Sequence, residues 1–526
     1  MKPFKLFLFF ILFLFLVFAL TIFFPEKGIQ ITSDLIIRFP SVTSFLPDEK
    51  PDYKDITGIV KQSVALKADS LLHDTIFQPE IFTNQQFLLL KNNTIIADTL
   101  LAMKKKNVIL NDTIAAKKNR KKIYSIQFNP GDEKNLYPFF KLLTKLANSD
   151  QLIRILHYGD SQIEGDRITS FIRNELQKKF GGAGTGLLSF IHNKIYHYSV
   201  QVILSSNWKN YSVLKTKSNN QLRTLFGVMM SYSRFTDTDD IHPENPVTYM
   251  GTCLIKNQEF AFPLVRGYKN VKLFYGYNRK PFLLSLIADQ NEYDRQIVSP
   301  SSELRMLEWS FTSTPQAVEF IFHGEDSPEI FALALDGEKG IAVDNIPLRG
   351  SSGLDFTKTD HAIFCSMMNL LNTQLILLQV GVNMVPSMLS DYSHYERALT
   401  EQLSFIRSCN PSVPVIILGV SDMARKNNIY FDSYPNIEKI RNAQRNAAFK
   451  SHCGFWDTYT AMGGRNSMPS WVNCSPPLAQ KDFVHFTPRG ARLIAELFLN
   501  ALLAEYNNFL LNSQFPVNDT IYESTY

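Results

Sequence analysis

The order in which strand-like and helix-like patterns follow one another most constrains the fold of this sequence. A β-rich run starts near Leu152 and ends at Gly159, and apolar residues then recur at helical spacing from Ile168 to Phe180. After residue 370 the alternation returns, with strands predicted at 374–380 and 413–420, helices at 391–408 and 434–450, and a last helix from about Thr487. Alternation of this kind predicts a parallel sheet with helices on both faces.

Residues 198–345 interrupt this alternation. Short runs rich in Val, Ile, Phe and Tyr are separated there by Asn, Pro, Gly and Asp, without a long amphipathic helix. Such runs occur at 271–277, 282–288, 317–322 and 330–335. Short strands at this spacing are typical of a β-sandwich. The predicted fold class is therefore α/β, with a parallel-sheet domain interrupted by an inserted β-sandwich.

At 526 residues the chain is too long for one ordinary core, so several structural units are expected. The parallel-sheet domain is predicted at 126–197 and 346–510, on either side of the insert at 198–345. Residues 26–125 are weakly patterned, contain a basic cluster at 117–122, and are interpreted as a stalk or accessory region. Residues 511–526 are predicted to form a C-terminal tail.

The segment at 6–24 carries no charged side chain, and Thr21 is its one weakly polar residue. As a helix it would be about 28 Å long, roughly the thickness of a bilayer core. Lys2 and Lys5 precede it, which favours a cytoplasmic N-terminus and export of the rest. A cleavable signal peptide, the alternative, needs a small-residue cleavage site, and none follows. Residues 1–25 are therefore predicted to be a single-pass transmembrane anchor in the inner membrane, with a periplasmic or otherwise extracytoplasmic body.

Charge and cysteine content exclude some classes of protein. The net charge of +5, from 54 basic and 49 acidic residues, is too small to indicate nucleic-acid binding. Five cysteines are scattered without zinc-ligand spacing, so no metal site or cofactor is implied. Buried free thiols are favoured over a disulfide framework, with a Cys453–Cys474 pair as the alternative.

Two distant segments carry the residues of a candidate nucleophilic site. Ser161 follows the first predicted strand and is expected to open a helix at the carboxyl edge of the sheet; a helix N-cap is its alternative role. Asp482 and His485 lie in a loop before the last helix, for which Thr487 is the predicted N-cap and Pro488 the first residue. A serine becomes a nucleophile when an oriented imidazole takes its proton, and these are the residue types required.

Donors for an oxyanion are predicted in two further loops. Asn383 follows Gly381 directly beyond a buried strand, where its amide can donate to a negative oxygen; satisfying the local turn is its alternative role. Gly350 and Gly353 lie where the chain leaves the β insert, and either can offer a backbone N–H.

In this order, the segments resemble the sequence blocks of the SGNH/GDSL hydrolases. The matching segments are Gly159-Asp160-Ser161, the glycine turn at Gly350, Gly381-x-Asn383 and Asp482-x-x-His485. The resemblance extends to the branch of peptidoglycan O-acetylesterases and O-acetyltransferases, through Gly165-Asp166 after the serine and through residues 462–490 near the end. That branch also carries a β insert like a carbohydrate-binding module. The resemblance covers about 150–505 and implies an SGNH-type, flavodoxin-like parallel-sheet domain.

The resemblance implies a role for each site residue. Ser161 would be the nucleophile, His485 the general base and Asp482 the residue that orients it. The Ser161 N–H, Gly350 and Asn383 would form the oxyanion hole, without a metal or cofactor.

Two residues depart from the pattern of the branch and bear on substrate choice. Gln162 stands where His is frequent, and Met384 where many relatives have an acidic or small residue.

The predicted function is a serine esterase that removes O-acetyl groups from peptidoglycan or another exported polysaccharide. An O-acetyltransferase with the same triad, supplied by a membrane-bound acetyl donor, is the alternative among enzymes. A non-catalytic, glycan-binding surface protein is the alternative of another class. The expected partners are an O-acetylated glycan and, through the N-terminal helix, the membrane; nucleic acid is not expected.

Overall fold

The computed structural model describes residues 3–23, 29–31, 36–37, 51–64, 124–191, 197–215, 225–236 and 247–514. The chain divides into two compact units, one of Met1–Asp52 with Lys426–Asp432 and one of Tyr53–Arg425 with Ser433–Tyr526. Most of the region interpreted as a stalk, 26–125, lies outside the described residues. So do its basic cluster at 117–122 and residues 515–526 of the tail.

The first unit contains helix α1 (Pro3–Phe23) and two short antiparallel strands, β1 (Ile29–Gln30) and β2 (Ile36–Ile37). Within the described part of the chain, no helix combines the length and the apolar character that crossing a membrane requires. The predicted transmembrane anchor is therefore not confirmed.

The remaining helices and strands are numbered in chain order. The helices are α2 (Thr57–Val64), α3 (Tyr137–Lys145), α4 (Thr169–Phe180), α5 (His361–Leu370), α6 (Ser393–Cys409), α7 (Ile437–Lys450), α8 (Thr458–Met462), α9 (Ser467–Asn473) and α10 (Pro488–Gln514). The strands are β3 (Leu152–Gly159), β4 (Gly186–Leu188), β5 (Val200–Leu204), β6 (Lys209–Ser212), β7 (Ser231–Arg234), β8 (Tyr249–Asn257), β9 (Asn270–Asn278), β10 (Phe282–Ala288), β11 (Asn291–Val298), β12 (Ser301–Ser310), β13 (Ala317–Gly324), β14 (Glu329–Asp336), β15 (Gly340–Pro347), β16 (Thr373–Gln379), β17 (Val415–Leu418), β18 (Ala424–Asn427), β19 (Tyr430–Ser433) and β20 (Gly454–Trp456).

Five parallel strands form the sheet that carries the site, in the order β15-β3-β16-β17-β20. Numbered by chain position within this sheet, the order is 2-1-3-4-5, which is that of flavodoxin-like folds. Strands β3, β16 and β17 are buried almost throughout, as expected of a sheet covered on both faces. The predicted α/β fold with a parallel sheet is confirmed. Strand β15 is added on one side of β3 and β16 on the other, so the order of the strands switches sides at β3. The loops after β3 and β16 therefore border a crevice at this switch point.

Helices cover both faces of this sheet. Leu156, Ile376 and Ile417 belong to one core cluster together with side chains of α5, α6 and α7. Helix α4 packs on β15, and α10 packs on α4. Trp456 of β20 stacks edge-on against Phe498 of α10, with 5.5 Å between the ring centroids. Because side chains alternate between the two faces of a strand, each strand contributes to both layers.

Two antiparallel sheets form the insert, as its short strands predict. Their orders are β11-β10-β13-β8-β5 and β12-β9-β14-β7-β6, with β4 beside β14. The insert begins earlier and ends earlier than the predicted 198–345, because β4 pairs with β14 of the sandwich and β15 joins the parallel sheet. The apolar run of β15 suits either sheet, so its pattern alone does not identify its partner strand.

A buried charged cluster ties the insert to the parallel sheet. The Arg154 guanidinium of β3 contacts Asp336 of β14 at 2.5 Å and Asp344 of β15 at 2.7 Å. Asp344 Oδ1 also accepts the N–H of Leu187 in β4, at 2.8 Å. Removing one member of such a cluster leaves an uncompensated buried charge, so the cluster holds the two sheets in one arrangement.

One disulfide, Cys365–Cys409, joins α5 to α6 with 4.9 Å between the Cα atoms. The alternative pair Cys453–Cys474 is wrong: both thiols are free, as is Cys253. The two bridged residues are 44 positions apart, and the packing of the two helices brings them together. Spacing along the chain does not reveal such a pair.

Candidate active site

Ser161 lies in the turn that directly follows β3, at the carboxyl edge of the parallel sheet. Its side chain is largely covered, with 8% of the residue exposed. A short 3₁₀ turn at Glu164–Asp166 follows, and α4 begins only at Thr169. Gly165 and Asp166 have positive φ angles of 72° and 68°, which interrupt helical geometry. The prediction that Ser161 opens a helix is therefore wrong, and a helix N-terminus does not contribute at the hydroxyl.

The fold brings the three predicted triad side chains into one hydrogen-bonded chain. His485 Nε2 lies 2.8 Å from Ser161 Oγ, although the residues are 324 positions apart. His485 Nδ1 lies 2.7 Å from Asp482 Oδ2. With Nδ1–H donating to the carboxylate, Nε2 is left as an acceptor for the serine proton. This arrangement can activate a serine hydroxyl.

Asp482 also closes the loop that carries the imidazole. Its Oδ1 accepts the N–H groups of Val484 and His485, each at 3.0 Å. Partial burial acts to raise the pKa of Asp482, but the hydrogen bonds from the His485 side chain and the two N–H groups outweigh it and lower that pKa to about 2. The carboxylate therefore stays ionised at neutral pH.

The helix after this loop begins as predicted. Pro488 is the first residue of α10, and the Gly490 N–H donates to Thr487 Oγ1 at 3.2 Å, which is the N-cap hydrogen bond. A side chain at Gly490 would overlap the Leu478 carbonyl oxygen. The glycine thus lets the helix lie directly on the preceding segment, which holds the loop in place.

The loop after β15 lies beside the serine turn and carries the candidate backbone donor. The Leu348 N–H donates to the Gly159 carbonyl at 2.7 Å, which joins the two loops. The Gly353 N–H is engaged by Ser351 Oγ at 2.9 Å. Among the described residues, no hydrogen-bond acceptor contacts the N–H of Gly350. Of the two glycines, Gly350 is therefore the one whose N–H is available to a ligand.

Asn383 is held against the same loop. It lies in a 3₁₀ turn after Gly381, and its Nδ2 donates to the Ser351 carbonyl at 2.8 Å. An amide nitrogen has two hydrogens, so this bond fixes the side chain and leaves the second hydrogen for another acceptor. Gly381 has a φ of 133°, a conformation that favours glycine. The structure thus brings Ser161, Gly350 and Asn383 into neighbouring loops.

Asp160 is a site residue for which the sequence motif predicts no separate role. Burial raises its pKa to about 6, while the N–H groups of Gln162, Val382 and Gly381 and the charge of His485 act in the opposite direction. Its Oδ1 accepts the Gln162 N–H at 3.0 Å. An Asp that accepts the N–H two residues on is a known turn signal. The influence of Gly381 and Val382 on its pKa depends on the fold, which brings their loop beside the serine turn.

The two residues that depart from the resemblance have different surroundings. Gln162 is 2% exposed, and its Nε2 donates to the Val484 carbonyl at 2.8 Å and lies 3.4 Å from Ser421 Oγ. Met384 is half-buried and packs on the main core cluster. The Gln162 side chain thus joins the serine turn to the histidine loop. Its bearing on substrate choice stays a prediction.

Charged side chains border the serine turn. Arg349, directly before Gly350, is exposed and lies 3.7 Å from the Glu164 carboxylate. Arg167 Nε donates to the Glu164 carbonyl at 2.8 Å. Burial lowers the pKa of Arg167, against the opposing effects of Glu164 and Asp482. Two arginine side chains thus border the turn that carries Ser161, and that of Arg349 is exposed.

Within the described residues, one group of side chains has metal-ligand geometry, namely His361, Cys365 and Cys409. Two of its three members form the disulfide, which removes both sulfurs as thiolate ligands. The group lies on α5 and α6 and includes none of the triad residues.

Proteins similar to this chain are found among solved structures, whereas no protein-family model matches it and no curated protein matches it significantly. A peptidoglycan O-acetylesterase of known structure is 22% identical, covers 70% of this chain and 96% of its own length, and has a TM-score of 0.56. The chain shares its fold with that esterase. At this identity the likeness shows a common fold.

Two further solved structures have much lower scores. A family two carbohydrate esterase from Clostridium thermocellum is 9% identical, covers 52% of this chain and 96% of its own length, and has a TM-score of 0.22. A family 3 carbohydrate esterase from Talaromyces cellulolyticus is 17% identical, covers 31% of this chain and 72% of its own length, and has a TM-score of 0.24. At these scores neither likeness carries an argument.

Proposed function

We propose that this protein is a serine esterase that removes O-acetyl groups from peptidoglycan or another exported polysaccharide. The observation that carries the proposal is the hydrogen-bonded chain from Asp482 through His485 to Ser161, at 2.7 Å and 2.8 Å. A non-catalytic glycan-binding protein would have no need for an imidazole oriented on both nitrogens. A serine hydroxyl as a helix N-cap is also disfavoured, because α4 starts eight residues later, at Thr169.

The chemistry follows from these contacts. His485 Nε2 takes the Ser161 proton as Oγ attacks the acetyl carbonyl carbon, and the carbonyl oxygen becomes an oxyanion. The N–H groups of Ser161 and Gly350 and the Asn383 amide would stabilise this oxyanion. The tetrahedral intermediate collapses as the bond to the sugar oxygen breaks and His485 gives its proton to that oxygen, which leaves as a hydroxyl group. Water then attacks the acetyl-serine with the same base, which releases acetate and restores Ser161.

The acetyl group and the glycan are proposed from the resemblance of the sequence blocks and from the shared fold. A polymer with exposed acetyl esters can approach Ser161 past Arg349, which borders the serine turn. Incubation with O-acetylated peptidoglycan and with acetylated xylan, followed by measurement of free acetate, tests the substrate class. Acetyl groups found on added chito-oligosaccharide in place of free acetate would instead indicate the O-acetyltransferase reaction.

The nucleophile is tested with a fluorophosphonate probe and an aryl acetate. Ser161→Ala is expected to abolish labelling and turnover, whereas Ser404→Ala, an exposed serine on α6, serves as the control and should retain both. Asn383→Ala should lower kcat by about 10²- to 10³-fold, since one oxyanion donor is lost. Wild-type rates of acetate release in Ser161→Ala would contradict the assignment.

We also propose an extracytoplasmic location. Disulfides persist in oxidising compartments, and Cys365–Cys409 is such a bond. The uncharged segment at 6–24 and the two preceding lysines support export of the rest of the chain. Digestion of the body by a protease added to intact spheroplasts is expected. Digestion only after lysis would refute this location.

A further inference from the structure

The loop that carries the imidazole is attached to the serine turn at two adjacent points. One is the contact between His485 and Ser161 itself, at 2.8 Å. The other is the hydrogen bond from Gln162 Nε2 to the Val484 carbonyl, also at 2.8 Å. Gln162 follows Ser161 in the chain, and Val484 precedes His485. The two bonds therefore join the same two neighbouring pairs of residues, and the bond from Gln162 lies directly beside the contact between nucleophile and base.

We propose that Gln162 is a positioning residue, which holds His485 at the distance and angle required to take the Ser161 proton. This inference rests on the proposed esterase function. Gln162 does not touch the reacting atoms; it acts through the backbone of Val484. The geometry of a proton transfer is demanding, because donor and acceptor must lie within hydrogen-bond reach.

The glutamine is itself rigidly held, which a positioning residue requires. Its backbone N–H donates to Asp160 Oδ1 at 3.0 Å, and the residue is 2% exposed. Its Nε2 is also 3.4 Å from Ser421 Oγ. A buried side chain fixed at both its backbone and its amide transmits the position of the serine turn to the facing loop.

The other bonds of the loop do not replace this attachment. Gln480 donates from its backbone to the His485 carbonyl at 2.8 Å and from its side chain to the Phe486 carbonyl at 3.1 Å. Asp482 accepts the N–H groups of Val484 and His485. These bonds shape the loop internally. The Phe483 carbonyl also accepts the Ala424 N–H at 3.1 Å, which attaches the loop to the segment that follows β17. The bond from Gln162 attaches the loop to the serine turn itself, directly beside Ser161.

The test is a Gln162→Met variant, which keeps the length and volume of the side chain and removes its hydrogen-bond donor. A matched control exists in Gln177 of α4, which is equally buried and donates through Nε2 to the Gly184 carbonyl at 3.1 Å. In both residues Oε1 is buried without a hydrogen-bond partner in the described part of the chain. Gln177→Met therefore reproduces the loss of a buried amide away from the triad.

The readout is kcat and KM for an aryl acetate, with active sites counted by fluorophosphonate titration. Gln162→Met should lower kcat by about 10- to 100-fold, because a small displacement of the base slows the reaction while binding is retained. KM should change little. Gln177→Met should leave both constants unchanged. Gln162→His, which restores an N–H donor facing the Val484 carbonyl, should recover most of kcat.

The outcomes separate the two proposals. If the wild-type protein neither hydrolyses the acetate nor reacts with the probe, the proposed function fails and this inference fails with it. If the wild type is active and kcat of Gln162→Met equals that of Gln177→Met, only the positioning role is refuted. Should Gln162→Met not fold, Gln162→Asn replaces it, since its amide is one methylene short of the Val484 carbonyl; unchanged kcat in that variant likewise refutes the role.

Discussion

Replacing Asp482 with Asn changes the charge next to the imidazole while preserving the shape of the loop. In the wild type, Oδ2 accepts from His485 Nδ1 and Oδ1 accepts the N–H groups of Val484 and His485. An amide oxygen at the Oδ1 position can retain the two backbone bonds. The amide nitrogen then faces Nδ1 as a donor, which favours the tautomer with the proton on Nε2. That tautomer cannot accept the Ser161 proton.

The magnitude follows from the charge that develops on the imidazole. Two unit charges about 4 Å apart attract by about 4 kcal/mol at an effective dielectric constant of about 20, and by about 1 kcal/mol in bulk water. The Asp482 side chain is 43% exposed, so its attraction for the imidazolium lies between these two limits. Together with the unfavourable tautomer, this predicts that kcat of Asp482→Asn falls by about 10²- to 10³-fold.

The assay is hydrolysis of an aryl acetate from pH 5 to pH 9, with thermal unfolding measured in parallel. Because the pKa of Asp482 is about 2, its carboxylate is ionised throughout this range, and the loss should appear at every pH. Asp391→Asn is the control: Asp391 is an exposed turn residue that also accepts an N–H two positions on, from Ser393. A kcat of Asp482→Asn within threefold of the control would refute the orienting role of this carboxylate.

Two further predictions concern stability. Replacing both Cys365 and Cys409 with Ser removes a cross-link between residues 44 positions apart and so gives the unfolded chain more freedom. The free energy of unfolding should fall by roughly 4 kcal/mol; urea midpoints equal to those of the wild type would contradict this. Burial raises the pKa of Asp422 from 3.8 to about 6, so the folded state binds more protons than the unfolded state between these values. This group's contribution to stability should therefore fall by roughly 3 kcal/mol as the pH rises through that window. In Asp422→Asn, the difference between the free energies of unfolding measured by urea at pH 4 and at pH 7 should shrink by this amount. A difference unchanged in the variant would show that other groups produce it.

The strands and helices predicted after residue 150 lie within a few residues of their predicted bounds. The strand predicted at 282–288 is found at Phe282–Ala288, and the helix predicted at 391–408 is found at Ser393–Cys409. Periodicity reports which side chains face a core, and this is a property of adjacent residues. The assignment of β15 to the insert was wrong, because its apolar residues are buried in either sheet and only its pairing with β3 decides.

The candidate site was predicted in part. Ser161, Asp482 and His485 stand in short segments whose residue types resemble known blocks, and the fold joins them. The bond from Gln162 to Val484 could not be foreseen, since its two ends are 322 positions apart and neither residue type indicates the partner. For the same reason the choice between Gly350 and Gly353 needed the folded structure: it depends on where Ser351 Oγ points.

By itself, then, the amino-acid sequence determined the alternation of strands and helices, the break made by the β insert, and which side chains could do ester chemistry. The tertiary structure decided which strands pair, which cysteines are joined, and which N–H groups remain available beside Ser161. The physical reason is that burial periodicity and side-chain chemistry are properties of residues that are neighbours in the chain. Hydrogen-bond satisfaction, in contrast, depends on groups that only the folded chain brings within about 3 Å of one another.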